Sequence, residues 1–122
     1  MFARFNGTQE PVLDDLDAEI EWHLRADLPD SRTLHGHEDV KQLVAEWTAA
    51  FEDFQTEPVE VSEVAGRTIA VLHARGSVRG SGQEVDMDEV WVFSWYGEKI
   101  TEIREYRTKE EALRSLGSSV ER

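Results

Sequence analysis

The second half of the chain contains four consecutive segments typical of β-strands, and this run constrains the fold more than any other feature. Each segment is rich in β-branched or aromatic residues, and they span residues 57–64, 68–78, 84–95 and 99–107. Turns that contain glycine separate them, at Gly66, at residues 80–82 and at Gly97. Because sequential strands usually pair with one another, this half of the chain predicts an antiparallel meander.

One long amphipathic helix is predicted before these strands. Glu38 and Asp39 would lie in its first turn, where acidic side chains interact favourably with the helix dipole. The apolar residues that follow have helical spacing and form one stripe: Val40, Leu43, Val44, Trp47 and Phe51. A sheet with one long helix to cover it should curl around that helix. We therefore predict a single α+β domain over residues 1–122, with a curved antiparallel meander sheet wrapped around the helix.

Shorter elements are predicted on either side of this unit. Residues 12–16 favour one or two helical turns, residues 18–24 alternate as a short strand, and residues 28–32 form a loop. At the other end of the chain, Thr108 and Glu111 match a capping box that opens a short helix. Two leucines would anchor that helix and a glycine would end it: Leu113, Leu116 and Gly117.

The charge balance argues against two classes of partner. The 122 residues include 26 Asp and Glu against 13 Lys and Arg, a net charge of −13. A surface this acidic repels phosphate backbones and anionic lipids, so neither nucleic acid nor a membrane is an expected partner. Solubility, or adaptation to a salt-rich cytoplasm, explains the acid excess. The alternative explanation is attraction of a cationic ligand.

The absence of cysteine limits the chemistry further. It excludes a disulfide framework, a thiolate metal site and a cysteine nucleophile. No run of about 18 apolar residues exists, and residues 1–7 lack the apolar stretch of a signal peptide. We therefore expect a cytoplasmic protein.

Several stretches, in a fixed order, resemble a known family. The stretches are Glu21-Trp22-His23, Gly36 before the long helix, Gly76 to Gly82, Val90-Trp91-Val92-Phe93, Lys99-Ile100, Glu105-Tyr106 and Glu111-Ala112-Leu113. Their order and spacing resemble the SnoaL-like branch of the nuclear transport factor 2-like superfamily, which has a cone-shaped α+β fold. The resemblance covers nearly the whole chain and implies a ligand pocket and often a homodimer. Family members usually begin with a full helix that closes the mouth of the cone, and here only residues 1–5 could represent its last turn.

Alternation along the strands predicts which side chains face the pocket. We assign the aromatic side chains of residues 84–95 to the concave face, together with the face of the preceding strand that carries His73. The predicted wall consists of Trp22, Val44, Trp47, Trp91, Phe93 and Ile103. The predicted polar contents are His73, Arg75, Glu89 and Glu105. The convex face would carry residues suited to a homodimer interface: Ala70, Leu72, Val90 and Val92.

The resemblance implies roles for the polar residues. The last strand resembles that of limonene-type epoxide hydrolases, where an acid matching Glu105 activates water. The same alignment places His73 and Arg75 where those enzymes carry an arginine and an aspartate. Glu89 falls near the acid that ketosteroid isomerases use in their oxyanion hole. Trp22 occupies the place of the general base of those isomerases, so neither known mechanism transfers intact, and the superfamily also includes polyketide cyclases, dehydratases and non-catalytic binders.

The leading hypothesis is an enzyme that acts by general acid/base chemistry on a small hydrophobic molecule, cyclic or carbonyl-bearing. A carboxyl or imidazole walled by aromatic rings has a pKa shifted toward neutrality, where proton transfer is efficient. His73 and Glu105 would form the proton-transfer pair. Arg75 would orient the substrate or stabilise an oxyanion, and Glu89 would be a second acid. The alternative is a non-catalytic ligand-binding or dimerisation module, in which Arg75 forms a structural ion pair with one of the two glutamates.

No metal or organic cofactor is expected from the sequence. His35 and His37 flank Gly36, and either His23 or Asp39 could be imagined as a third ligand. Their spacing matches no recognised metal site.

Overall fold

Six strands and two helices make up the described part of the chain. The computed structural model describes residue 7, residues 12–27 and residues 31–120, the last four of these by their backbone alone. The strands are β1 (Leu16–His23), β2 (Thr33–His35), β3 (Phe51–Val64), β4 (Arg67–Val78), β5 (Glu84–Tyr96) and β6 (Lys99–Tyr106). The helices are α1 (Gly36–Ala50) and α2 (Lys109–Val120).

The strands form one open sheet in the order β2-β1-β6-β5-β4-β3. The last four strands are the predicted antiparallel meander, which confirms the α+β class. The sheet is nevertheless mixed, because β1 pairs in parallel with β6 and β2 pairs antiparallel with β1. Trp22 lies opposite Ile103 in the parallel pair, so residues far apart in the sequence meet in the middle of the sheet.

The main core lies between α1 and the concave face of the sheet. Gly36 begins the helix with a φ of +78°, a backbone conformation that favours glycine. Val40 and Leu43 of α1 are buried against side chains from the strands. The cluster comprises Leu16, Ile20, Trp22, Leu34, Val40, Leu43, Ala70, Leu72, Trp91, Phe93, Ile100 and Ile103. The first four residues of the predicted apolar stripe therefore pack as their helical spacing indicated, whereas the fifth, Phe51, lies beyond the end of the helix in β3.

The second helix covers part of the opposite, convex face. Ala112 and Leu116 of α2 pack against three side chains of the sheet, Ile69, Val90 and Val92. The Thr108 hydroxyl accepts a hydrogen bond from the backbone N–H of Glu111 (3.2 Å), which confirms the predicted capping residue. Two details of the prediction are wrong. Leu113 is 38% exposed rather than an anchor, and the helix continues past Gly117.

Several boundaries differ from the prediction. Residues 12–15 form a turn and not a helix, closed by a hydrogen bond from the backbone N–H of Leu16 to the carbonyl of Leu13 (3.0 Å). Strand β3 begins at Phe51, six residues earlier than expected. Residues 28–30 of the predicted loop, and residues 1–5 with the predicted helix remnant, lie outside the described residues.

The pairing of β4 with β5 corrects the predicted faces. Leu72 lies opposite Glu89 and Ala70 opposite Trp91, so these side chains share the concave face. His73 lies opposite Asp88, on the convex face with Arg75. The placement of His73 and Arg75 in the pocket is therefore wrong, because the opposite set of β4 side chains points inward.

The same pairing removes the basis for the predicted dimer surface. Ala70 and Leu72 are buried in the main core, on the concave side. Val90 and Val92 do lie on the convex face, but α2 covers them. All four residues are thus buried within the chain.

Neither described helix has the length and apolar character needed to span a bilayer.

Candidate functional site

A cleft of about 420 Å³ opens between α1 and the concave face of the sheet. Its walls are mainly apolar, with Leu43 and Trp47 from the helix and Phe54, Met87 and Trp91 from the strands. This volume falls within the range of about 300–1,000 Å³ typical of small-molecule sites. We call this space the cleft.

Aromatic rings brace one another along the wall of the cleft. Trp47 stacks on Phe54, with ring centroids 5.6 Å apart and an interplanar angle of 24°. Behind them, Trp22 makes edge contacts with Trp91 at 5.0 Å and with Trp47 at 6.1 Å. Packed aromatic pairs of this kind add stabilisation beyond the area they bury. The helix and the strands β1, β5 and β3 thus contribute aromatic rings to one packed apolar wall.

Glu105 is a carboxyl group enclosed by this wall. It lies on β6 opposite Trp91, and its Oε2 accepts a hydrogen bond of 2.7 Å from the indole N–H of Trp22. Burial and, to a lesser extent, the negative charge of Glu89 together raise the pKa of Glu105 to about 8, against the smaller lowering effects of hydrogen bonds from Trp22 and the backbone of Arg25. At neutral pH this side chain therefore holds a proton.

Glu89 is the second acid of the cleft. It lies two residues before Trp91 on β5 and hence diagonally across from Glu105, a relation that places residues roughly 7–8 Å apart. Its side chain is 13% exposed, and its Oε2 lies 3.7 Å from Nη1 of Arg25. Burial raises the pKa of Glu89, and the positive charge of Arg25 opposes that rise. The two acids thus meet different surroundings, since the guanidinium contacts Glu89.

Arg25 is a charged residue beside Glu89 that the sequence analysis missed. It follows β1, and its guanidinium is held by Asp27 through Nε–Oδ1 and Nη2–Oδ2 distances of 3.1 and 2.7 Å. Only 9% of the residue is exposed. Arginine is rarely buried without a partner, and here Asp27 is that partner. The available signal was its position after the strand that carries Trp22, two residues before an acid. The alternative hypothesis predicted an ion pair between Arg75 and one of the two glutamates. Glu89 does form an ion pair, but its partner is Arg25 and not Arg75.

The structure separates the predicted polar residues into two groups. Glu89 and Glu105 line the cleft. His73 lies on the convex face between Asp86 (Nε2–Oδ1, 3.0 Å) and Asp88 (Nδ1–Oδ1, 2.8 Å), and the hydrogen bond to Asp88 is the main cause of its raised pKa. His73 and Glu105 consequently cannot exchange a proton with the same ligand.

Arg75 is equally remote from the cleft. Its guanidinium is exposed and lies 3.9 Å from Glu57 on the neighbouring strand. It can neither stabilise an oxyanion in the cleft nor pair with the glutamates there. The hypothesis that Arg75 acts in the site, in either role, is therefore wrong.

The predicted wall residues also divide. Trp47 and Trp91 line the cleft. The other four are buried behind that surface. They are Trp22, Phe93 and Ile103 in the main core, and Val44 in a smaller cluster with Phe54 and Ala74.

Two lining residues escaped the sequence analysis for different reasons. Phe54 was hidden because the strand was predicted to start at residue 57, after it. Met87 alternates in phase with Trp91 and so shares its face, but it was not singled out, since a methionine on an apolar face has no distinctive chemistry.

Among the described residues, one group could hold a metal ion, and it lies outside the cleft. It consists of Glu21, His23 and Glu102. The histidines flanking the start of α1 do not contribute to it, and Nε2 of His37 lies 3.0 Å from the carbonyl oxygen of Leu16.

Comparisons with known proteins agree with this architecture. Residues 1–103 match the family model described as SnoaL-like domain. No curated protein sequence matches the chain.

Solved structures with the same fold have low sequence identity to this chain. A protein with a ketosteroid isomerase-like fold from Catenulispora acidiphila, solved with trimethylamine, has a TM-score of 0.71 at 12% identity, covering 88% of this chain and 84% of that one. TerC, co-crystallised with polyporic acid, gives 0.73 at 17% identity, with 93% and 89% covered. A putative SnoaL-like polyketide cyclase from Jannaschia gives 0.65 at 16% identity, with 84% and 72% covered. At these identities the likeness is one of fold.

Proposed function

Because the chain belongs to the SnoaL-like domain family, we propose that its cleft binds a small hydrophobic molecule and that Glu105 exchanges a proton with it. The observation that carries the proposal is the partly buried carboxyl of Glu105 against an apolar wall, where its pKa of about 8 keeps it protonated at neutral pH. A general acid works best when its pKa lies near the working pH. Known members of the family include polyketide cyclases and isomerases, both of which act on carbonyl-bearing molecules.

The two acids would divide the work of enolising a ketone. The Glu105 O–H donates its proton to the carbonyl oxygen of the ligand, and Glu89, in the carboxylate form that Arg25 favours, removes a proton from the adjacent carbon. The product is the neutral enol, with Glu105 ionised and Glu89 protonated, so protons and charge balance. The guanidinium contact of Glu89 distinguishes the surroundings of the two carboxyl groups, and such a difference is the usual basis for dividing the acid and base roles.

Neighbouring side chains would support this transfer. The Trp22 indole N–H already donates to Oε2 of Glu105 and would stabilise the carboxylate that forms after proton donation. Arg25 favours the ionised form of Glu89, which is the form a base requires. Trp47 and Trp91 would hold the apolar body of the ligand against the wall.

Deuterium exchange into simple cyclic ketones tests the chemistry directly. We would incubate the protein in D2O with cyclohexanone and 2-tetralone and follow loss of the α-proton signals by NMR. We expect exchange above the buffer rate, reduced at least tenfold in Glu105→Gln and in Glu89→Gln. Glu46→Gln is the matched control, because Glu46 lines the cleft but is engaged by Arg32 at 3.1 Å. Exchange that is absent, or unaffected by Glu105→Gln, would refute the acid/base role.

A non-catalytic binding module is the second candidate. The braced aromatic wall favours it, since it forms a preformed apolar surface whether or not a proton moves. Carbon-13 NMR titration of the glutamate side chains separates the two functions. A solution-like pKa for Glu105 would leave binding as the only function, whereas a value near 8 supports proton exchange.

The homodimer and the cytoplasmic location stay predictions. Light scattering at micromolar protein concentration tests the first, and a dimer interface could not include Ala70, Leu72, Val90 or Val92, which are buried within the chain.

A further inference from the structure

Three side chains with metal-binding chemistry meet on the convex face, where β1 and β6 run in parallel. Glu21 lies opposite Glu102 across the two strands, and His23 lies two residues further along β1. Their nearest oxygen and nitrogen atoms all fall within 4.8 Å of one another. Trp22, between Glu21 and His23, points to the other side of the sheet, so this cluster is separate from the cleft.

The imidazole of His23 is oriented as a ligand. Its Nδ1 lies 3.1 Å from the Thr33 hydroxyl, and when Nδ1–H donates to that oxygen, Nε2 carries the lone pair. Nε2 is shut off from solvent and makes no hydrogen bond to any described residue. It lies 2.8 Å from a carboxylate oxygen of Glu21, but without the alignment of a hydrogen bond. Nε2 is thus left without a hydrogen-bond donor beside two carboxylates, and a cation placed among the three groups would be a partner for all of them.

We propose that Glu21, His23 and Glu102 bind one divalent transition-metal ion, of the class of Zn²⁺ or Mn²⁺. For metal–ligand bonds of about 2.0–2.2 Å, ligand atoms around one ion lie about 3–3.5 Å apart. The separations from Nε2 of His23 are 2.8 Å to Glu21 and 3.8 Å to Glu102, which bracket that range. An imidazole with two carboxylates and no thiolate suits these ions.

Arg104 acts as an outer support of this site. Its Nε and Nη2 atoms lie 3.0 and 3.2 Å from the two oxygens of Glu102 and fix the orientation of that carboxylate. Carboxylates that ligate metals are commonly held by such hydrogen bonds. The guanidinium also leaves the cluster with a net charge of only −1, with His23 neutral, which a divalent ion reverses. Three protein ligands leave further coordination positions for water.

Metal binding is tested by calorimetry on the full chain after treatment with EDTA. We expect ZnCl2 and MnCl2 to bind with a stoichiometry of one ion per chain. His23→Gln and Glu102→Gln should each weaken binding at least tenfold, and the metal-free unfolding temperature of each variant shows whether it is folded. If one variant does not fold, the other carries the test.

His73→Gln is the matched control. His73 also lies between two acids on the convex face, but its two ring nitrogens contact different carboxylates, so one ion cannot replace both contacts. This variant should bind metal like the unmodified protein. In addition, Mn²⁺ should broaden the NMR signals of residues around His23 before those around His73.

Three results would overturn the proposal. The first is the absence of one-to-one metal binding below a Kd of about 1 mM, which corresponds to roughly −4 kcal/mol. The second is an equal loss of metal affinity in His23→Gln and His73→Gln. The third is broadening of NMR signals by Mn²⁺ over the whole acidic surface. The last two would show weak attraction to the net negative charge only. Because the cluster lies on the other face of the sheet, none of these results bears on the acid/base role of Glu105.

Discussion

Glu102 and Glu105 lie three residues apart on β6 and meet opposite surroundings. Glu102 faces outward, where Arg104 holds it, and Glu105 faces the cleft and the indole N–H of Trp22. Strand alternation predicted this difference correctly, because an odd separation places two residues on opposite faces. The pKa of Glu105 was not predictable in the same way. It depends on how closely Trp22 and Trp91 pack around one carboxyl, which is a property of three strands together.

At the residue scale, the stability of the protein should depend on the protonation of Glu105. Its pKa is about 8 in the folded chain against an ordinary value of 4.5, so the folded state holds a proton that the unfolded state releases. The contribution of Glu105 to stability is therefore complete below pH 4.5 and is lost as the pH rises through 8. In this window the free energy of unfolding should fall by about 1.4 kcal/mol per pH unit on account of this group.

Glu105→Gln removes this dependence, because glutamine stays neutral. Relative to the unmodified protein, we expect the variant to gain stability from pH 5 to pH 8, by at most about 3–4 kcal/mol, and to show no further gain above that. Urea unfolding at each pH measures it. Glu46→Gln, whose glutamate is paired with Arg32 near the surface, should show no such trend. Parallel pH curves for Glu105→Gln and the unmodified protein would contradict a raised pKa.

At the element scale, the positions of the strands were easier to predict than the way their faces match. The sequence did not show which set of side chains on one strand shares a face with which set on the next. Alternation sorted the side chains of β4 into two sets correctly, but it cannot say which set joins the concave face of β5. The connection over residues 79–83 decides that, through the pairing of Ser77 with Glu84 and a hydrogen bond from the N–H of Val78 to the carbonyl of Gln83 (2.8 Å). The free-energy cost of burying charged side chains would have identified the inward-facing set of β4 better than alternation did. It favours Ala70, Leu72 and Ala74 inside and leaves His73 and Arg75 in solvent.

Long-range and short elements were beyond the reach of local patterns. The parallel pairing of β1 with β6 joins segments some eighty residues apart, and no periodicity within either segment specifies a partner. Strand β2 has three residues, too few for alternation to be visible. The arrangement of Arg25 near Glu89 depends on this pairing, since β1 delivers Arg25 to the edge of the cleft. This is why the second acid was predicted and its cation was not.

The packing of α2 gives a matched pair of substitutions. Leu116 is buried against the convex face, whereas Leu113, one turn earlier on the same helix, is 38% exposed. Leu116→Ala removes buried methyl groups and should lower the free energy of unfolding by about 2–4 kcal/mol. Leu113→Ala makes the same chemical change near the surface and should cost less than about 1 kcal/mol. Chemical denaturation measures both, and equal losses would contradict the observed face of the helix.

At the scale of the whole molecule, the acid excess is a property of the surface more than of the site. The formal charge of −13 counts every acid as ionised, whereas the cleft contains Glu89 beside Arg25 and a protonated Glu105, so the cleft contributes little to the negative charge of the folded protein. The remaining acids repel one another across the surface. The ion pairs among exposed residues stabilise the fold only slightly, typically by about 0.2–1 kcal/mol each. The excess of acids could be counted from the sequence because net charge needs no structure. The position of a cleft with little net charge could not be predicted in that way.

Salt should therefore stabilise this protein. Raising NaCl from 10 mM to 1 M shortens the screening length from about 30 Å to about 3 Å, which weakens repulsion across the molecule more than attraction between adjacent pairs. At pH 7.5 we expect the unfolding temperature to rise by about 5 °C, the equivalent of roughly 1 kcal/mol for a domain of this size. Near the isoelectric point of about 4.6, where positive and negative charges balance, the same salt step should produce little change or a decrease. An equal rise at both pH values would assign the effect to salt acting on apolar surface and not to the net charge, because apolar burial is the same at both.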